Sequence, residues 1–270
     1  VGRGRWRYRK LFRKRYGRII WLVIKRNGQK GFFKFPVQKK QRREHRILVA
    51  NEYIAAALAK SVGLPVAKVK QVTVRGSRGI RRRGLLSQKA SANKVIPWKK
   101  AKKRVYRKPQ KKVKKADLLA RIVAFDAWIM NPDRNNRNLI LYRKKSAKHY
   151  KWYLIDHGIA VFGKPSRWSL RKAKRKFRKK KAYKFTMHSG SKKKQRIPKG
   201  LERFTLDNRK SFDKMVKKIK KLPNSVIRKA VKKVPKGCLR RAERKFITKV
   251  LIHRKKQIKK IVKRISKRFK

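Results

Sequence analysis

Residues 131–138 read Asn131-Pro132-Asp133-Arg134-Asn135-Asn136-Arg137-Asn138, and residues 155–158 read Ile155-Asp156-His157-Gly158. Between them lie an apolar run, Leu139-Ile140-Leu141-Tyr142, a short basic turn, and a second run, Tyr150-Lys151-Trp152-Tyr153-Leu154-Ile155. The order is loop, strand, turn, strand, carboxylate, and a hairpin folds its two ends back together. Asn138 and Asp156, eighteen positions apart, are therefore expected as neighbours. An Asp, an amide five residues on and a second Asp just past a hairpin give one base and two hard-oxygen ligands. That donor set suits magnesium and a triphosphate.

Composition pulls the other way. With 92 Lys and Arg against 10 Asp and Glu, the 270-residue chain carries a formal charge of +82, about 0.3 per residue and close to the density of disordered proteins. Hydrophobic residues still make up 40% and aromatics 10%, enough material for a core. The expectation is a folded domain with basic faces and basic, mobile insertions, to which nucleic acid, polyphosphate or an anionic membrane surface would adhere. Cys238 is the single cysteine, so no internal disulfide can form and a reducing, cytoplasmic compartment is expected. Ile19-Ile20-Trp21-Leu22-Val23-Ile24 is too short to span a bilayer. Nor do the five scattered His form a metal-binding spacing. Four of the few acids, Asp117, Asp126, Asp133 and Asp156, fall within forty residues, a clustering that points to acids kept where chemistry or structure requires them.

Residues 18–25 are rich in β-branched and aromatic side chains, Asn27-Gly28 is a hairpin turn signal, and Gly31-Phe32-Phe33-Lys34-Phe35 reads as the return strand. Lys34 alternates with aromatics and projects from one face of that strand. It is either a phosphate-holding cation or one Lys among dozens on a solvated face. Residues 48–62 are Ala-rich and predict a helix stopped by Gly63 and Pro65. Glu52 would lie in its first turns, serving the helix dipole or clamping Lys34. Strands are expected over 69–75 and 84–88. Residues 89–115 read as a basic linker or insertion, with Trp98 and Tyr106 as base-stacking or packing groups. Helical spacing from Asp117 to Met130 predicts a buried helix leading into the Asn131–Asn138 loop. There Asp126 would brace the loop by hydrogen bonds or pair with a nearby Arg.

Taken in order, Phe-Phe-Lys-Phe around Lys34, Asn51-Glu52 with the Ala-rich run, Gly63-Leu64-Pro65-Val66, Phe125-Asp126-Ala127-Trp128-Ile129, the Asn-Pro-Asp-Arg loop and Ile-Asp-His-Gly resemble the HipA-like kinases, a branch of the protein-kinase-like fold related to phosphatidylinositol kinases. The resemblance covers roughly residues 18–163. It implies an α+β, two-lobed fold, a small antiparallel β lobe with one helix beside a larger, mainly helical lobe, with ATP and magnesium in the cleft. On that basis the β lobe takes residues 1–88, the linker 89–115 and the helical lobe 116–270. Asp133 resembles the catalytic base or hydroxyl-orienting Asp, Asn138 and Asp156 the metal ligands, and Lys34 and Glu52 the phosphate-positioning pair. Two departures stand out. Asn135 occupies a place where related sequences commonly have His, and Gly2, Gly4 and Gly17 form no GxGxxG loop.

Past Gly163 lies the place of an activation segment, basic from Arg171 to Lys181, where Ser166, Ser169, Thr186 and Ser189 are conceivable phosphosites or plain surface hydroxyls. Helices are expected over 207–222, after Pro223 with Ser225 as cap, and as one long amphipathic element from Leu239 to Phe269. The expected activity is transfer of the γ-phosphoryl group of ATP to a protein Ser or Thr hydroxyl. The alternative is a weak or inactive kinase-like scaffold that binds nucleic acid or another polyanion through its charge.

Overall fold

The computed structural model describes residues 5–15, 18–76, 79–179, 184–187 and 196–266. Gly2, Gly4, Gly17, Lys181, Ser189 and Phe269, singled out above, lie outside them.

Five strands, β1 (Arg7–Arg15), β2 (Arg18–Ile24), β3 (Lys30–Pro36), β4 (Val69–Arg75) and β5 (Arg81–Gln88), close into a barrel in the order β1-β2-β3-β5-β4. Arg7 pairs in parallel with Arg75 to complete it. The β2–β3 hairpin turns at the expected Asn27-Gly28, with Gly28 at φ 76°, a conformation that costs a glycine little. Along β3 the pleat sends Gly31, Phe33 and Phe35 into the barrel, where the two Phe join Trp6, Val23, Val74 and Leu86. Lys34 therefore projects from the opposite face. Gly84 on β5 lets β3 approach, since a Cβ there would collide with the Lys34 carbonyl and lie 2.8 Å from Phe35 Cβ.

Strand β1 has no counterpart in the sequence reading. Its residues are largely cationic, and two register shifts, between Tyr8 and Lys10 and between Leu11 and Arg13, break the alternation that would have revealed it. The first helix, α1 (Lys39–Ser61), begins nine residues before the expected start. Gln41 Oε1 accepts the Val37 and Gln38 N–H groups at 3.0 and 3.2 Å, and Arg46 grips Glu243 through two bonds of 2.7 and 3.0 Å. These contacts hold the basic turns that charge repulsion would otherwise fray. Glu52 consequently sits mid-helix, and the expected dipole role near a helix start does not apply.

The larger part of the molecule holds β6 (Lys94–Pro97), α2 (Lys103–Arg107), α3 (Asp117–Trp128), β7 (Leu139–Arg143), β8 (Lys151–Leu154), α4 (Leu170–Lys179), α5 (Leu201–Asp207), α6 (Arg209–Lys221), α7 (Asn224–Lys232), α8 (Arg241–Lys256) and α9 (Ile258–Ser266). Strands β6, β7 and β8 form an antiparallel sheet in that order. Trp98 is almost wholly buried and donates its indole N–H to Lys199 O at 2.9 Å, so it is a packing group and not a base-stacking one. The expected 207–222 helix is α6, which starts after Asn208; the short α5 before it was not foreseen, and the Asn208 side chain donates to Phe204 O at its end at 2.9 Å. Pro223, not Ser225, stands at the N-terminus of α7. The single long C-terminal helix is broken at Gln257 into α8 and α9.

Helix α8 explains why α3 is fixed so firmly. Beyond its apolar face, buried Arg254 donates to the last carbonyls of α3, Trp128 O at 2.9 Å and Ala127 O at 2.6 Å, and Trp128 donates back to Leu251 O at 3.1 Å. A helix end otherwise left with orphan acceptors is thereby satisfied inside the core. Among the described residues no helix is long and apolar enough to cross a membrane.

Candidate active site

Helix α3 delivers Asp126, completely buried, to the base of the loop that follows. Its carboxylate takes Arg134 side-on, Nε to Oδ2 at 2.8 Å and Nη2 to Oδ1 at 3.1 Å, and also accepts Asn131 Nδ2 at 2.8 Å. Both readings left open for Asp126 thus hold together: the Arg it pairs with is the brace. Arg134, only 1% exposed, spends its remaining donors on Asn138 O at 2.8 Å, Ile155 O at 3.0 Å and His157 Nε2 at 2.7 Å. One guanidinium therefore ties the loop to both strand ends of the β7–β8 hairpin.

Because Arg can only donate, His157 Nε2 must accept, which puts the imidazole proton on Nδ1. That nitrogen faces Glu52 Oε2 at 3.8 Å. Glu52, from α1, in turn lies 3.6 Å from Lys34 Nζ, and Lys34 donates to Asp156 Oδ1 at 2.8 Å. A buried chain runs from Asp126 through Arg134 and His157 to Glu52 and ends on the two groups that face the cleft. Asp156 has φ 57°, left-handed backbone that a non-glycine residue keeps only where its surroundings over-determine it. Lys34's charge and hydrogen bond hold the Asp156 carboxyl below the usual carboxylate range, outweighing the partial loss of solvent at the cleft wall.

The hairpin brings its ends together as expected: Leu139 pairs with Leu154, and Ile155 N donates to Asn138 O at 3.1 Å. Asn138 Nδ2 donates to Asp133 O at 2.8 Å, while its Oδ1 accepts nothing among the described residues. Asp133 Oδ1 receives Asn135 Nδ2 at 3.0 Å and Arg196 Nη1 at 3.2 Å. Asn135 also accepts Arg137 N–H at 2.8 Å, so this residue braces the loop in the place where His is common. Lys34, Asp133 and Asp156 line one cavity of about 390 Å³ with Leu48, Gly158 and Ile159. All five residues singled out from the sequence, Lys34, Glu52, Asp133, Asn138 and Asp156, thus belong to one connected neighbourhood.

Sequence reasoning gave no role to Asn51, Arg134, His157 or Arg196. Asn51 sits beside Glu52 and clamps the turn after Asp156, donating to Gly158 O at 2.7 Å and Gly163 O at 3.1 Å and accepting Phe162 N–H at 2.8 Å. Asn51, Arg134 and His157 stand inside the quoted motifs, and a polar residue in an otherwise apolar run was the available signal for Asn51. Arg196 is one cation among many and carried none.

A β barrel with one inserted helix, a mainly helical partner and a polar cleft between them define a protein-kinase-like fold. The chain is similar in fold to the Helicobacter pylori proinflammatory kinase CtkA, with a TM-score of 0.55 at 15% identity over 97% of this chain and 94% of that one. Weaker likenesses are to Shewanella oneidensis HipA, solved with HipB and operator DNA (TM-score 0.44, 14% identity, 88% of this chain and 60% of that one), and to the Rio2 kinase of Chaetomium thermophilum solved with ADP, magnesium and phosphoaspartate (TM-score 0.37, 12% identity, 94% and 72%). No curated protein matches the sequence. The model of the HipA-like kinases matches residues 35–182, more than half of the chain. This protein belongs to the HipA-like kinase family.

Proposed function

We propose that the protein is a phosphotransferase that uses ATP and magnesium to phosphorylate a protein Ser or Thr hydroxyl. The observation that carries this reading is the convergence on one cleft of Asp133 and Asp156, with Asn138 bonded to the Asp133 carbonyl behind it and a lysine 2.8 Å from Asp156. Asn138 Oδ1 and Asp156 would hold the metal. Among the described residues no three His, Cys, Asp or Glu form a cage, which fits magnesium, a cation held by one or two carboxylates together with phosphate and water. A bound metal would neutralise charge developing on the phosphates. Lys34, steadied by Glu52, is suited to the α- and β-phosphates, and Asp133 to orienting the acceptor hydroxyl and taking its proton. On this reading the barrel with α1 is the nucleotide lobe and the remainder the lobe that carries the loop, with most of the 89–115 stretch packed into that second lobe through β6 and Trp98 and not strung out as a linker. The buried single cysteine, Cys238, accords with a reducing cytoplasmic setting.

Magnesium-dependent ADP release tests the proposal. Asp133→Ala and Asp156→Ala should each lower it by about 1,000-fold or more while far-UV circular dichroism stays unchanged. Turnover that survives both substitutions refutes it.

A second reading rests on a different observation, the net charge of +82. A polyanion such as nucleic acid would bind by counterion release, with affinity falling linearly in log salt. Binding to a DNA duplex should be indifferent to Asp133→Ala. Affinity independent of salt between about 50 and 200 mM would sink this reading.

A further inference from the structure

We propose that Arg196 is a positioning residue for the phosphoryl transfer, fixing the Asp133 carboxylate so that one oxygen alone meets the acceptor hydroxyl. The proposal deepens the phosphotransferase reading and rests on it.

The surroundings of Asp133 set up the argument. In a chain with 92 Lys and Arg, one cation is paired with Asp133 among the described residues, and it comes from 63 positions away. An ordinary surface pair would be worth little, because both side chains must be immobilised in water. Arg196 carries an exposed side chain, 68% accessible, on a backbone that is held in place. Its own N–H donates to Pro132 O at 3.0 Å, forming a bridge between Arg196 and Asp133, and Lys199 N–H donates to Asn136 Oδ1 at 2.6 Å. Lys199 O is taken by the buried Trp98 indole at 2.9 Å. Gly200, at φ 80°, passes so close to Tyr106 that a Cβ would lie 2.7 Å from its carbonyl oxygen. Four residues beyond Arg196 the chain is thus pinned to the core, and at Arg196 itself it is pinned to the loop. The backbone is placed before the side chain makes its bond.

Two donors then converge on one atom. Asn135 Nδ2 and Arg196 Nη1 both reach Asp133 Oδ1, at 3.0 and 3.2 Å. Asn135 fixes one direction from within the loop, and Arg196 adds a charged donor from outside it. The carboxylate is left with Oδ2 free of protein hydrogen bonds among the described residues, on a side chain that lines the cavity. In the transfer, the acceptor hydroxyl gives its proton to Oδ2 as its oxygen bonds to the γ-phosphorus. The bond from that phosphorus to the β,γ-bridging oxygen breaks, and ADP leaves with the electron pair. Arg196 touches neither reacting atom in this account and acts through Asp133.

The test compares wild type, Arg196→Ala, Arg196→Lys, Asp133→Ala and the Arg196→Ala/Asp133→Ala double variant. ATP with magnesium is the probe, and ADP release is followed by a coupled assay. We expect Arg196→Ala to lower kcat about 10- to 100-fold with the KM for ATP moved by less than about two-fold. Added guanidinium ion should recover part of the loss in the Ala variant and none in wild type. In the Asp133→Ala background, removing Arg196 should change nothing further, because the two act as one unit. A kcat for Arg196→Ala within about two-fold of wild type overturns the proposal and leaves the phosphotransferase reading standing. Equal losses in both backgrounds also overturn it, since they would mean that Arg196 acts independently of Asp133. Wild type that binds ATP without magnesium-dependent turnover overturns both.

Discussion

Replacing Arg134 with Met removes the guanidinium that joins the loop to the hairpin while keeping most of its volume. Asp126 would then be a buried carboxylate with Asn131 as its remaining side-chain donor, and the Asn138 and Ile155 carbonyls and His157 Nε2 would lose a donor. Breaking a buried ion pair from one side costs about 3–5 kcal/mol, against about 0–1 kcal/mol for an exposed pair. We therefore expect Arg134→Met to lower unfolding free energy by about 4 kcal/mol, read by urea denaturation. For a chain of this size that corresponds to a Tm roughly 8–16 °C lower. Lysine is a poor substitute, since one ammonium cannot reproduce the side-on pair and the carbonyl contacts together. Adding Asp126→Asn to Arg134→Met should recover part of the loss by removing the stranded charge. A destabilisation below about 1 kcal/mol, or no recovery in the double variant, would refute the assignment of Arg134 as the central tie.

Two further outcomes concern the cleft and the strand beside it. Asp156 is held below the ordinary carboxylate range chiefly by Lys34. The stabilisation from that pair is therefore present above the unfolded Asp value and lost as pH falls through the depressed one. Lys34→Met should raise the Asp156 midpoint in an NMR titration of side-chain carboxyls, and an unchanged midpoint would contradict the pairing. Gly84→Ala forces a Cβ against the Lys34 carbonyl and should cost about 1–3 kcal/mol. Because the strain falls on β3, nucleotide affinity measured by calorimetry should fall with it, and a variant as stable as wild type would show that β3 can shift.

The grouping of the candidate residues was more legible than the frame around them, for a physical reason. Catalytic-type loops depend on particular atoms at fixed spacing, so Asp133, Asn138 and Asp156 could be picked out against any background. Strand β1 and the first turns of α1 depend on pattern, and a chain this rich in Lys and Arg erases pattern by placing cations on both faces. The helices with clear apolar stripes, α3 and α6, were found because their buried positions could not be cationic. The break at Gln257 was missed, since the apolar spacing runs on through it, and the short α5 before Asn208 was not read at all. Arg254 and Lys255 escaped notice for the opposite reason: each looks like surface and is buried against backbone carbonyls, Lys255 donating to Leu222 O at 2.7 Å.

Helix α1 reaches the cleft from two directions at once. Its early turns are bolted to α8 by Arg46 and Glu243, with the Trp168 indole on the same carboxylate at 2.8 Å. Its middle carries Asn51 and Glu52 onto the segment after Asp156. Although the chain order places this rod among the barrel strands, and Tyr53 on it accepts the Gln71 N–H at 2.6 Å, most of its polar ties run to the other half of the molecule. Lys34, reaching Glu52 and Asp156 from β3, is thus a tie between the barrel and a rod whose footing lies elsewhere.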